Sequence, residues 1–342
     1  MKKSIIILLC LISGFTTGFA QQDAQFTLFP WASLYYNPGA AGEQSNTLCF
    51  TGIFRQQFMG FNDVYKNSEG NQVSDNTSIQ DILFNMEFYS RKIRGAIGLS
   101  FVKDKIGYFD NIGIRLGYAY KLNLGPGKLG IGIQASLINQ SVNAERFRPS
   151  QEGDPIIQQL GESYLDLDFN FGLYYKTDRW YAGLSGTQLL GPSSLPLSGG
   201  EELKLARQLY LHGGYIWTLP WNPSWTIEPQ ALLKFADFTA PQLDLMVLTR
   251  YNNILWAGLS YRVYDAVSVL FGARPFYNSS NNYLKGLDIG VAYSFTTSKL
   301  GLYSSKKSSG DIEIMLRYCF DIYRQEVFSG YGSTRSIYKN QY

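Results

Sequence analysis

Hydrophobic and polar positions alternate along this chain with a period of two. Leu165-Asp166-Leu167-Asp168-Phe169-Asn170-Phe171-Gly172-Leu173 is the clearest stretch, apolar at every odd position and polar or Gly at every even one. Successive side chains of an extended strand point to opposite faces, so such a stretch has one apolar and one polar face. About fourteen segments of this kind read as strands. They lie at 47–58, 79–89, 95–104, 109–122, 127–142, 164–175, 179–187, 206–218, 225–235, 240–248, 254–262, 266–273, 283–295 and 311–320. Gly, Pro, Asn and Ser gather between them, where hairpin turns need them. Amphipathic helical stretches are absent, and past the first 20 residues no apolar run reaches the ~18 residues of a helical membrane span.

Alternation alone fits a soluble β-sandwich as well as a membrane barrel. Composition separates them. Aromatics make up 15% of the chain, with 25 Tyr and 34 Gly, a load that suits a wall facing lipid with aromatic belts at both interfaces. The fold expected is all-β, a single up-and-down transmembrane barrel of about 14 antiparallel strands over 47–320, an even number as bacterial barrels require. The longest connections, near 59–78, 143–163, 188–205 and 296–310, follow segments 1, 5, 7 and 13 and so share one side. Outer-membrane barrels keep short turns in the periplasm and long loops outside, which places both chain ends, and a polar tail at 321–342, in the periplasm. Trp180, Trp217, Trp221, Trp225 and Trp256 lie at or beside the short connections and are expected to form an aromatic girdle at headgroup depth. In the last segment Ile312, Ile314, Leu316, Tyr318 and Phe320 face lipid, and Glu313, Met315, Arg317 and Cys319 face inward.

The start of the chain reads as an export signal over residues 1–20. Lys2 and Lys3 precede the apolar run Ile5–Ile12, and Gly18-Phe19-Ala20 offers a cleavage site after Ala20. Cys10 sits within the apolar run behind Leu8-Leu9, which does not suit lipidation. Removing Lys2 and Lys3 takes the net charge from +3 to +1, leaving no basic footprint for nucleic acid. The following segment, 21–46, carries Phe26, Phe29, Trp31, Tyr35 and Tyr36 without strand alternation. It is expected at the periplasmic mouth or inside the lumen, with a turn at Asn37-Pro38-Gly39.

Candidate chemistry is sparse. Gly125-Pro126-Gly127-Lys128-Leu129-Gly130 satisfies G-x-G-x-x-G, yet strands flank it where a dinucleotide site needs a helix. His212 is the sole histidine, too few for a zinc site, and reads as a lumen-facing strand residue. Asp166 and Asp168 share one face and read as polar lining, and Lys306-Lys307 as a solvated loop. No catalytic, cofactor-binding or metal site is expected. Cys49 opens the first strand and Cys319 nearly closes the last; barrel closure makes these strands antiparallel neighbours. Both thiols should share the lumen face at that seam. Opposed strand residues have Cβ atoms about 4.5–5.5 Å apart, whereas a disulfide wants about 3.5–4.5 Å. Two unbonded thiols are the expected outcome, with register deciding.

The two ends of the mature chain resemble a known family. Gln22-Asp23-Ala24-Gln25-Phe26 and Asn37-Pro38-Gly39-Ala40-Ala41-Gly42 are similar to the QDPQF and NPAYAG motifs that open PorP/SprF proteins, with Ala24 in place of Pro. Arg55-Gln56-Gln57-Phe58-Met59-Gly60 resembles that family's RQQW-x-G, and Glu313 to Phe320, including Tyr318, its closing pattern. The resemblance implies a Bacteroidota outer-membrane barrel of type IX secretion and gliding. It also implies a role in exporting, or anchoring at the surface, large adhesins with a type B C-terminal domain, and contact with periplasmic machine components and outer-membrane lipid. The rival readings are a diffusion channel or hydrophobic-compound transporter, an outer-membrane enzyme, and a soluble secreted sandwich.

Overall fold

Apolar side chains cover the outside of this wall, and many of its inward-facing positions are polar. Leu165, Leu167, Phe169 and Phe171 are 68, 53, 47 and 43% exposed, while Asp168 and Asn170 between them are 0 and 3% exposed. In a water-soluble sandwich the hydrophobic effect would set the faces the other way round. The same inversion holds in the last strand, where Ile314 and Leu316 are exposed and Glu313 and Met315 buried. The sheet is therefore built for lipid outside.

The computed structural model describes residues 23–42, 47–66, 71–76, 78–107, 109–142, 163–191, 205–237, 240–279, 284–298 and 308–321. The leader 1–20, the tail beyond Asp321, Lys306-Lys307 and most of the connections 143–163, 188–205 and 296–310 lie outside the described residues. The strands are β1 (Thr47–Gln57), β2 (Asn62–Lys66), β3 (Gln72–Asn76), β4 (Ile79–Ser90), β5 (Gly95–Ile106), β6 (Phe109–Leu124), β7 (Gly127–Val142), β8 (Tyr164–Lys176), β9 (Trp180–Thr187), β10 (Gln208–Tyr215), β11 (Trp217–Thr218), β12 (Trp225–Ala236), β13 (Ala240–Tyr251), β14 (Leu255–Arg262), β15 (Ala266–Ala273), β16 (Leu287–Thr296) and β17 (Asp311–Asp321).

Every neighbouring pair is antiparallel. The sheet closes into a barrel, β1 pairing with β17 and β10 with β12. β10 and β11 pair in turn with β12 and form one wall strand interrupted at Ile216. With β2 and β3 set apart as a separate hairpin, the wall has fourteen members. That hairpin, in the connection after β1, departs from the expectation of a plain loop. A second departure is β16, which begins at Leu287, so that 274–286 forms a longer connection than expected.

Thr47 faces Asp321 across the β1–β17 ladder, so the first strand begins and the last strand ends at one rim, here the terminal rim. The connections at 91–94, 125–126, 177–179 and 252–254 lie at this rim; β1, β7, β9 and β16 end at the far rim. At the terminal rim Cys49 and Cys319 are direct register partners with Cα atoms 4.1 Å apart, and they form a disulfide spanning 270 residues of chain. The expectation of free thiols is thereby corrected: direct opposition in register supplies the approach that a diagonal pairing would not.

Candidate functional site

The lumen is occupied by the chain's own residues 23–42. Phe26, Leu28 and Ala32 are 0% exposed, and Trp31, Leu34, Tyr35 and Tyr36 at most 5%. The segment folds as turns, a one-turn helix Ser33–Tyr36 and a 3-10 turn Pro38–Ala40. Its aromatic rings make its core: Phe26 meets Tyr35 edge-on at 5.6 Å, Tyr35 meets Tyr36 at 5.1 Å, and Tyr36 meets Tyr210 of the wall at 5.1 Å. Edge-to-face packing of this kind adds to the burial of each ring. A short segment that lacks regular ladders must place its backbone polar groups elsewhere, and here the wall takes them. Glu313 accepts the N–H of Thr27 at 2.6 Å and of Leu28 at 2.9 Å. Arg115 donates to Tyr35 O at 3.1 Å, Ser185 to Tyr36 O at 2.6 Å and Lys121 to Gly39 O at 2.9 Å.

The turn at Asn37 sits in a trough of wall glycines. A Cβ at Gly132 would lie 2.3 Å from Gly39 N, one at Gly130 2.1 Å from Gly39 O, and one at Gly172 2.1 Å from Asn37 Oδ1. Gly132 and Gly172 are register partners on β7 and β8, so the trough crosses adjacent strands. Asn37 is fully buried. Its Oδ1 accepts from Gly39 N at 2.8 Å, which leaves Nδ2 as donor to Leu173 O at 2.9 Å and to His212 Nε2 at 3.0 Å. Nε2 of His212 is thus the accepting nitrogen, and the histidine is a wall residue that holds the plug. The segment leaves the trough at Gly42, whose φ of +66° is open to Gly and whose N–H reaches Glu87 at 2.9 Å.

Charged side chains from distant strands converge on the start of the plug. Asp23 contacts Arg115 at 3.2 Å, Gln188 at 2.7 Å and Tyr210 at 3.4 Å, and Gln25 accepts from Lys234 at 2.9 Å. Arg55, 2% exposed, lies 3.4 Å from Asp81, 3.4 Å from Asp311 and 3.3 Å from Glu313. Glu313, its register partner, therefore links Arg55 to the plug backbone. Asp23, Gln25, Phe26, Asn37, Pro38, Gly42, Arg55 and Glu313, which lie in separate motifs of the sequence, meet in one lumen.

The plug leaves a cavity on each side. The far one, about 730 Å³, is bounded by Asp23, Gln25 and Gln57 among others; the one at the terminal rim, about 420 Å³, by Phe29, Trp31 and Ser33 on the plug side. Among the described residues no group of three or more His, Cys, Asp or Glu is placed to hold a metal. Asp168 accepts the N–H of Leu190 at 2.8 Å, so it braces a connection.

Residues 18–318 match the family model of the type IX secretion system membrane protein PorP/SprF. The chain belongs to the PorP/SprF family. The matched range includes both plug and wall, and PorP/SprF is a family of secretion-system membrane proteins, not of enzymes. Comparison with curated proteins gives no match. Among solved structures, the Pseudomonas putida toluene transporter TodX is 12% identical, covering 86% of this chain and 94% of that one with a TM-score of 0.49. The Acinetobacter baumannii outer membrane protein Omp33 is 9% identical over 81% and 100%, TM-score 0.41. BamA from Haemophilus ducreyi is 10% identical over 81% and 71%, TM-score 0.39. The barrel architecture of this PorP/SprF chain rests on its own closed ladder of strands.

Other motif residues of the PorP/SprF chain lie off the plug. Gln56 donates to Ser78 at 3.3 Å, Gly60 takes a φ of +82° in the turn after β1, and Tyr318 packs on Phe320 at 5.7 Å with Phe320 stacked on Phe50 at 6.3 Å. Trp180, Trp217, Trp221 and Trp225 are exposed. Trp256 is not: it is 4% exposed, stacks on Trp31 at 4.5 Å and donates to Asp288 at 2.9 Å. Its parity is that of the buried Ser260 and Arg262, so it faces the lumen and leaves the girdle expected for it. Sequence reasoning missed Arg115, Gln188, Tyr210, Asp288 and the trough glycines. The signal available for them was inward parity combined with charge or with Gly.

Proposed function

We propose that this chain is a closed, non-catalytic anchoring barrel of type IX secretion. It helps export, or holds at the cell surface, a large adhesin with a type B C-terminal domain. In this reading the terminal rim faces the periplasm and its machine components, the long connections face outward, and the exposed tryptophans of the terminal rim sit among lipid headgroups. The host is a Gram-negative bacterium of the Bacteroidota, and gliding depends on the adhesin so displayed. What supports anchoring over diffusion is the plug: a lumen filled by aromatic residues and held by charge-assisted bonds is suited to rigidity, not to solute flow. Deletion of the gene is expected to strip one large adhesin from the surface and leave most exported proteins in place. Adhesin display unchanged, with small-solute uptake lost, would replace this reading by a channel. Orientation is read separately: a protease site within 188–205 should be cut on intact cells, and one at Asn123–Pro126 should not.

A further inference from the structure

The cavity at the terminal rim carries more positive charge than its own carboxylates balance. Lys176, Arg250, Arg274 and Arg317 line it together with Glu228 and Asp288. Both carboxylates are engaged. Glu228 accepts from Arg250 at 2.7 Å, and the two oxygens of Asp288 take the indole N–H groups of Trp31 at 3.2 Å and Trp256 at 2.9 Å. Arg274 and Arg317 are left without a carboxylate partner among the described residues. Arg317 stands opposite Asp288 in register, yet its Nε reaches Cys319 Sγ, at 3.3 Å. Arg274 lies over the Tyr277 ring at 5.0 Å, and its buried Nε has no acceptor. Burial pushes the Arg274 guanidinium below its ordinary value, and Arg250 and Arg317 push the same way against Asp288. A guanidinium left in this condition gains strongly from a planar oxyanion, which it can hold through paired N–H groups.

The cavity also has aromatic walls, Trp31, Tyr174 and Tyr181, and its volume of about 420 Å³ lies within the about 300–1,000 Å³ of ligand pockets. Two resident carboxylates penalise a dianionic phosphate more than a singly charged carboxylate. The chain's own C-terminal tail does not fit, since 322–342 has Glu326 as its one acid against Arg324, Arg335 and Lys339.

We propose that this pocket receives an acidic peptide segment of a periplasmic partner, gripped through its carboxylates by Arg274 and Arg317. The partner's periplasmic location rests on the orientation proposed above; the pocket's chemistry does not. The test is fluorescence anisotropy of a labelled tetraglutamate peptide with the full-length barrel purified in detergent at low salt. Saturable binding is expected, absent for a tetralysine peptide, and weakened about tenfold or more by Arg274→Gln and by Arg317→Gln. Arg179→Gln, at an exposed cation of the same rim, is expected to leave it unchanged. Folding of each variant is checked by its heat-dependent gel mobility, and Arg274, on a connection outside the strands, gives the variant least exposed to misfolding. No binding, equal loss in Arg179→Gln, or full retention in Arg274→Gln overturns the proposal. Displacement by inorganic phosphate at matched concentration also overturns it, in favour of a phosphate site. Because the assay uses purified protein, it succeeds or fails independently of orientation and of adhesin display.

Discussion

Replacing Gly132 by Ala asks whether the glycine trough seats the plug. The added Cβ would lie 2.3 Å from Gly39 N and from Pro38 C, and 2.6 Å from Pro38 O. Carbon atoms in contact settle at about 3.5–4.0 Å, so the turn must retreat by roughly 1 Å or more. The Cβ is fixed to the wall and the atoms it meets are backbone, so no side chain can rotate away to relieve the clash. Overpacking of this kind costs about 1–3 kcal/mol. Retreat also stretches the bonds from Asn37 Nδ2 to Leu173 O and from Lys121 Nζ to Gly39 O, each 2.9 Å. A neutral bond contributes about 0.5–1.5 kcal/mol and one to a charged group about 1.5–3 kcal/mol. Taking about 2 kcal/mol from the clash alone, the unseated fraction rises about thirtyfold. The wall ladders are untouched, so the barrel itself should melt as before. Single-channel recording in planar bilayers reads the outcome: a silent wild type, and a Gly132→Ala variant with brief openings. Gly52→Ala is the control, since its nearest neighbour is Leu316 O at 4.0 Å. A Gly132→Ala variant as silent as the wild type, with the plug equally resistant to protease, would refute the idea that the trough holds the turn.

Arg55→Met should destabilise the folded barrel by about 3–5 kcal/mol in urea titrations, because it strands buried Asp81, Asp311 and Glu313 without their shared cation; Glu313→Gln should cost less and loosen the plug first. Cys49→Ser should leave the strand order intact and lower stability by about 2–4 kcal/mol, read as the same shift on treating the wild type with reductant. Brominated lipids should quench Trp180, Trp217, Trp221 and Trp225 but spare Trp256, tested with single-tryptophan variants; a strongly quenched Trp256 would place it on the wrong face.

The wall was legible in the sequence because strand parity is a local property. Leu165 to Phe171 fix their faces by alternation alone, and counting strands brought Cys49 beside Cys319. For Trp256, nearness to a connection points to the girdle, whereas strand parity points to the lumen. One residue of difference reverses the face, and Leu255, its neighbour, is the one that points to lipid. The hairpin β2–β3 was hidden because Asn62–Lys66 and Gln72–Asn76 are mostly polar and present no alternating face. The plug's path was not readable, since 23–42 has no period and its partners lie far away in sequence, as Asp23 does from Arg115 and Asn37 from His212. Trough glycines look like turn glycines until β7 and β8 are set in register. Gly125 serves a hairpin with a φ of +55°, whereas Gly130 and Gly132 serve the close approach of another backbone.

The bond between Cys49 and Cys319 changes what kind of object the wall is. Thirteen of the fourteen neighbouring strand pairs are joined by the run of the chain itself, and the first and last strands would otherwise meet through ladder bonds alone. With the sulfurs joined, the girth of the barrel becomes an unbroken covalent hoop. Anything leaving sideways into the bilayer would have to part strands elsewhere, because this one junction is clasped at its terminal rim. The clasp also has a place in time. Its two halves lie at opposite ends of the barrel sequence, so they meet only after the last strand has docked against the first, and oxidation here records that assembly of the ring is complete.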